Sequence, residues 1–202
     1  MAAVNVEFHR IIEALRNKKV PFVLTGGHGI GNWTGRPRAT HDVDILVKGG
    51  RNYSRAVSAL RALYPTLEVR DFSGVTSFFL PGERQSVIDV TYPHREDIQV
   101  TLATAIWIDE GGRRYRIPTL EAALANKYGA MLTLTRDPGK RAIDATDFYF
   151  MVRHAEEPGR TPVDLTILES LGEKVWRAGG GKEILDLVAQ ARAGSVPALS
   201  SK

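Results

Sequence analysis

Phe8, Ile11, Ile12 and Leu15 recur at helical spacing, so the chain opens on an amphipathic helix, and Lys18 and Lys19 suit its C-terminal end. PFVLTGG is a short apolar run closed by glycines and reads as a buried strand. HGIGNW reads as a short helix or a loop. DVDILVKGG is a second strand with a Gly-Gly stop. YSRAVSALRALYP is a helix with Tyr53, Val57, Leu60 and Tyr64 on one face and Pro65 at its end. TLEVRDF, VTSFFLPG and QSVIDVTYP are three more strands, and ATAIWIDEGGRRYRIPT is a hairpin turning at Glu110-Gly111-Gly112. From Thr119 the texture changes: TLEAALANKYGAML, KRAIDATDFYFMVR, DLTILESLGEKVW and GKEILDLVAQARA all carry helical periodicity. The expected fold is α/β (α+β): a mixed β-sheet flanked by helices over residues 1–118, then a helical lobe over 119–202.

Composition narrows the chemistry. The 202 residues are 43% hydrophobic and 25% charged, ordinary for a chain that buries a core. There is no cysteine, which excludes disulfides, thiolate metal sites and a cysteine nucleophile. Glu7 and Arg10 interrupt the N-terminal apolar pattern, against a signal peptide, and no run is long enough to span a bilayer, so a cytoplasmic protein with no membrane partner is expected. A net charge of +4 permits a phosphate or nucleic-acid partner without demanding one.

The chemistry concentrates in TGGHGIGNWTGRPRATHDVDILV, Thr25 to Val47. Residues i and i+2 of a strand share a face, so Asp42 and Asp44 project together while Val43 and Ile45 turn to packing. Two such carboxylates repel unless a cation lies between them. Oxygen ligands point to a hard ion, Mg²⁺ or Mn²⁺, which completes its shell with water and substrate phosphates. A two-ion site, with ions about 3.5–4 Å apart, needs a further carboxylate. Asp89, in the middle of the apolar SVIDVTYP, is the candidate. Read alone, each has an ordinary alternative: D-x-D recurs by chance in loops, and Asp89 suits a plain ion pair. Gly26-Gly27 after an apolar strand lets the backbone turn tightly and hold phosphate on N–H groups. The run is neither a Walker A loop, since Gly31 is followed by Asn32-Trp33, nor G-x-G-x-x-G. Arg36, Arg38 and Thr40 precede the aspartates; Arg38 is favoured over Arg36 as a phosphate ligand, and His28 and His41 read as polar loop residues.

Taken together, Leu24-Thr25-Gly26-Gly27, then Asp42-Val43-Asp44, then Asp89 resemble the DNA polymerase beta-like nucleotidyltransferase superfamily. The G-R-x-x-x-T-x-D-x-D run resembles its AbiEii-like toxin branch, with a related pattern in lincosamide and aminoglycoside nucleotidyltransferases. IPTLEAALANKYGAML and KRAIDATDFYF resemble that branch's P-x-L-E…K and K/R…D-x-x-D helices, although Ala142-Ile143 separates the basic pair from Asp144. The resemblance covers roughly residues 20–152 and implies a nucleotidyltransferase-type sheet whose helical lobe completes a nucleotide cleft. It implies catalytic and metal-binding roles for Asp42, Asp44 and Asp89, with Gly26, Gly27, Arg38, Thr40, Lys127, Asp144 and Asp147 at the nucleotide. From the residues themselves, Lys127 on an apolar stripe either snorkels or meets an anion, and Asp144 and Asp147 are equally suited to ion pairs with Lys127 or Arg136.

The implied activity is metal-dependent transfer of a nucleoside monophosphate from an NTP to an acceptor hydroxyl, with pyrophosphate released. The basic patch of Arg113, Arg114 and Arg116 leans towards RNA, a tRNA end in the toxin branch, with a cognate antitoxin as a further partner. A small-molecule acceptor of the aminoglycoside or lincosamide kind ranks next, then a protein acceptor of AMP. A nucleotide-binding partner protein without catalysis is the non-enzyme alternative, and retention of all three aspartates weighs against it.

Overall fold

A computed structural model describes residues 6–36, 40 and 42–199. The chain divides into two compact units, and the division runs through two helices. Residues 1–29, 38–94 and 102–117 form the first unit, and 30–37, 95–101 and 118–202 the second.

The first unit holds a five-stranded mixed sheet. Its strands are β1 (Phe22–Leu24), β2 (Val43–Val47), β3 (Glu68–Phe72), β4 (Val75–Phe79) and β5 (Ser86–Thr91), in the order β1-β2-β5-β4-β3. Only β2 and β5 run parallel; the other neighbours are antiparallel. The central strands VDILV and SVIDVT are rich in β-branched residues, and Val43, Ile45, Val47, Ile88 and Val90 are buried. Helix α1 (Phe8–Asn17) buries Ile11, Ile12 and Leu15, as its periodicity requires. α3 (Arg51–Leu63) buries Ala56, Ala59 and Leu60, and Tyr64 just beyond it is also buried; of the face expected from sequence, Leu60 and Tyr64 are buried while Tyr53 and Val57 are half-buried. A separate hairpin pairs β6 (Ile106–Glu110) with β7 (Arg113–Ile117) and turns at Gly111-Gly112.

HGIGNW lies in a helix, α2 (Gly26–Thr34), and HREDIQVTLAT, unassigned from sequence, contains α4 (Glu96–Thr104). The buried face of α4 is Asp97 and Thr101, a polar i, i+4 pair, so no apolar period announces it.

The second unit contains α5 (Leu120–Leu132), α6 (Pro138–Ala155), α7 (Leu165–Val175) and α8 (Gly180–Arg192), making eight helices among the described residues. Leu124, Tyr128, Phe148, Met151, Leu168 and Ile184 are core residues here, and Ile30 of α2 joins them. Three helices begin on side-chain caps: Thr119 accepts from Ala122 N–H, Asp137 from Lys140 N–H, and Asp164 from Ile167 N–H. None of the described helices is long and apolar enough to cross a membrane.

Asp137 is exposed and its carboxylate serves the start of α6, so Asp137→Ala is expected to lower the unfolding free energy by about 1 kcal/mol. Urea denaturation followed by circular dichroism measures it; no change would show that the cap is not formed in solution.

Candidate active site

In the first unit the site begins where β1 ends. Gly26 has φ +55, a left-handed conformation that turns the chain out of β1 and into α2 at once. Thr25 N–H donates to the Asp44 carbonyl (3.0 Å), and Gly29 N–H reaches back to the Thr25 carbonyl (2.9 Å). The first turn of α2 is thereby held against β2. A Cβ on Gly26 would stand 1.7 Å from Asp44 Oδ2, so the aspartate carboxylate occupies the space a side chain would fill. A Cβ on Gly27 would meet the Thr40 hydroxyl oxygen and Cβ, both at 2.8 Å.

The aspartates are arranged by strand register. Asp44 and Asp89 are direct partners across the parallel β2–β5 pair, so both side chains leave one face of the sheet side by side. Asp42 lies two residues before Asp44, just ahead of β2. The Thr40 hydroxyl donates to Asp42 Oδ1 (2.7 Å), and the Ser86 hydroxyl donates to Asp89 Oδ2 (2.9 Å). Ser86 and Asp89 are three apart and would face opposite ways in a regular strand. The register slips between Phe78 and Phe79, with Ile88 opposite Phe78 and Ser86 opposite Phe79. That bulge turns Ser86 to the side of Asp89. Neither S-x-x-D spacing nor β-propensity signals this, so the placement of Ser86 is not legible in the sequence.

Among the described residues no three His, Asp or Glu side chains converge as closely as a bound ion demands. By chemistry and register the donor set still fits a hard divalent ion: oxygen ligands only, two of them adjacent across one ladder step.

His28 belongs to α2 and not to a loop. Its ring stacks on Phe8 (centroids 4.5 Å apart, 6° between planes), and burial lowers its pKa, with the Asp42 charge opposing. Arg36 lies over the Phe150 ring at 4.1 Å, a cation–π contact within the second unit. Arg38 and His41 lie outside the described residues.

The remaining candidates meet in the second unit. Lys127 Nζ stands 2.8 Å from Asp144 Oδ1 and 2.7 Å from Asp147 Oδ2, and Arg136 Nε is 2.7 Å from Asp144 Oδ2. Lys127, Asp144 and Asp147 are all buried. Asp144 and Asp147 share one face of α6 at i, i+3 and receive the lysine of α5 between them. The ion-pair alternative is therefore the arrangement seen. Ile143 is 46% exposed, and the buried side of α6 runs through Asp144, Asp147, Phe148 and Met151.

With this geometry in view, comparison with known proteins settles the family. Residues 10–193 match the family described as nucleotidyl transferase AbiEii toxin, type IV TA system. The chain belongs to this family. An AbiEii-family protein is a nucleotidyltransferase, and this one has a strand–Gly-Gly–helix–D-x-D arrangement. An antigenic nucleotidyltransferase-like protein from Paracoccidioides brasiliensis shares the fold at 18% identity, with 93% of this chain and 92% of that chain covered and a TM-score of 0.52. JHP933 from Helicobacter pylori is similar at 18% identity, covering 92% and 89%, with a TM-score of 0.49. No curated protein matches the chain.

Two outcomes follow from the AbiEii-family site. Gly26→Ala is expected to destabilise by more than the roughly 1–2 kcal/mol of a left-handed alanine, because its Cβ also overlaps Asp44. The excess should shrink in an Asp44→Ala background, as a double-mutant cycle in urea reads; strict additivity would place the two residues out of contact. Lys127→Met is expected to cost about 3–5 kcal/mol, because it leaves two neighbouring carboxylates buried. An unchanged denaturation midpoint would show that the acids do not depend on that lysine.

Proposed function

We propose that this AbiEii-family nucleotidyltransferase moves a nucleoside monophosphate from an NTP to a hydroxyl of RNA, a tRNA end first among candidates, releasing pyrophosphate. The observation that carries the reading is the register pair Asp44–Asp89 set against the α2 start at Gly26-Gly27. A carboxylate pair beside a helix N-terminus suits a triphosphate, because oxygen ligands take its metal and backbone N–H groups take its phosphates.

Asp42, Asp44 and Asp89 would hold one or two divalent ions, Mg²⁺ or Mn²⁺. Bound there, the metal neutralises triphosphate charge and polarises the phosphorus–oxygen bond. The chain's own groups do the rest. Gly26 and Gly27 bring backbone close to phosphate, with Thr40 fixing Asp42. Asp89 accepts the proton of the acceptor hydroxyl as its oxygen attacks the α-phosphorus. The bond from that phosphorus to the bridging oxygen breaks, and pyrophosphate leaves with the electron pair. Ser86 positions the Asp89 carboxylate. Arg38, Lys127, Asp144 and Asp147 keep the nucleotide role that the family resemblance implies; for Lys127 the buried pairs with both aspartates also give it a structural role.

The preference for RNA rests on the hairpin. Trp107 is 57% exposed, and the Arg114 guanidinium lies 5.1 Å from its ring centroid. An exposed aromatic ring beside arginine offers a stacking surface and a phosphate contact. Arg116, counted with that patch from sequence, turns inward and donates to the carbonyls of Leu102 and Ala105. The family's description as part of a toxin–antitoxin system supports a cognate antitoxin as partner and the cytoplasm as the setting.

The test is transfer of label from each α-³²P NTP, with Mg²⁺, to total tRNA or to a panel of aminoglycosides and lincosamides. Label on RNA is expected, reduced at least about 100-fold by Asp44→Asn and by Asp89→Asn. Label on a drug would replace RNA by a small-molecule acceptor, and label on protein by AMP transfer to a polypeptide. No transfer to any acceptor, with NTP binding intact in both variants, would refute the site.

A further inference from the structure

A second basic site lies within the helical unit, on residues that the mechanism above does not use. Arg95, just ahead of α4, and Arg136, in the loop between α5 and α6, line one open cleft of about 400 Å³ together with Asn126, Ala130, Thr133 and Thr135. None of the residues lining it is acidic.

Both arginines are fixed from behind by buried aspartates. Arg95 Nε and Nη2 donate to the two carboxylate oxygens of Asp97 at 3.0 and 2.6 Å. Arg136 Nε donates to Asp144 Oδ2 at 2.7 Å. The Asp97 and Asp144 side chains are 0% and 2% exposed, whereas those of Arg95 and Arg136 are 42% and 38% exposed. A buried carboxylate is costly, and here each one orients a guanidinium that lines the cleft. Gly129 helps: a Cβ there would stand 2.7 Å from Arg95 Nη2, so glycine leaves the guanidinium its seat. The Thr101 hydroxyl donates to Asn126 Oδ1 (3.2 Å), leaving the amide nitrogen of Asn126 as a further donor.

We propose that this cleft binds a phosphate group, held between the guanidiniums of Arg95 and Arg136 with donors from Asn126 and Thr135. Two pre-oriented arginine forks in a wall without acids match a tetrahedral oxyanion. The same chemistry is offered by a nucleotide's phosphates and by a nucleic-acid backbone. The site uses neither Asp42 nor Asp44, although Asp144, which fixes Arg136, is also assigned to the nucleotide above; substitutions at Asp42 and Asp44 therefore separate its failure from that of the transfer reaction.

Pyrophosphate titrated calorimetrically, in chloride buffer without divalent metal, tests it. Binding is expected to persist in the Asp42→Asn/Asp44→Asn double variant. It should weaken at least tenfold in Ala130→Glu, which puts a carboxylate into the cleft, and remain near wild type in Ala130→Gln. Thr135→Glu, on an exposed loop position, serves the same purpose should Ala130→Glu not fold. Competition by a short single-stranded RNA but not by an NTP assigns the phosphate to nucleic acid, and the reverse assigns it to nucleotide; either supports the site. Absence of binding to wild type, or binding lost in the aspartate double variant and untouched by Ala130→Glu, would overturn it.

Discussion

The contact between Gly26 and the Asp44 carboxylate is the constraint on which the aspartate-bearing end of the first unit depends. It demands a residue without a side chain at φ +55, which ends β1 and starts α2 in one step. The same contact lays the start of a helix beside a carboxylate on a neighbouring strand, so two opposite electrostatic features share one place. Helix N–H groups favour anions, and the aspartates favour cations. A metal-bound triphosphate carries both signs and satisfies both. The parallel β2–β5 pairing then supplies Asp89 without further machinery, because direct partners on adjacent strands share a face.

The helical unit solves a different electrostatic problem. Four charges, Lys127, Arg136, Asp144 and Asp147, are packed with three of them buried, and each acid has a cation within 2.8 Å. Asp144 is shared, one oxygen on Lys127 and the other on Arg136. Such a network contributes little net stability compared with an apolar packing of equal volume, yet loss of any one member is costly. It therefore ties α5, α6 and their connecting loop to one arrangement. Arg95 and Asp97 repeat the device at the start of α4.

Much of this was legible in the residues because period and chemistry coincided. The i, i+2 aspartates in an apolar run, and the glycines closing β1, each carry a local signature. So does the apolar stripe holding Lys127, whose anion turned out to be a pair of aspartates on the next helix. What was hidden depends on non-local geometry. The β5 bulge that brings Ser86 to Asp89 appears only once β4 is paired with it. Helix α4 buries Asp97 and Thr101, so its inward face looks like a surface in sequence. HGIGNW is poor in strong helix formers and still forms α2, because strand ends and the contacts of Gly26 and Gly27 fix its start. The hairpin arginines, grouped by adjacency in sequence, part by their partners: Arg114 and Arg116 share a face of β7, yet Arg114 meets Trp107 while Arg116 donates to the carbonyls of Leu102 and Ala105 at the end of α4.

The most direct measurement is metal binding at the aspartates. Mn²⁺ titrated into the protein with a non-hydrolysable NTP, and followed by electron paramagnetic resonance, should show bound ion that Asp44→Asn abolishes. Weakened but detectable binding is expected for Thr40→Val, which releases Asp42 from its hydroxyl partner. Mn²⁺ and nucleotide bound equally well by Asp44→Asn would contradict the assignment of the site to the Gly26–Asp44–Asp89 cluster.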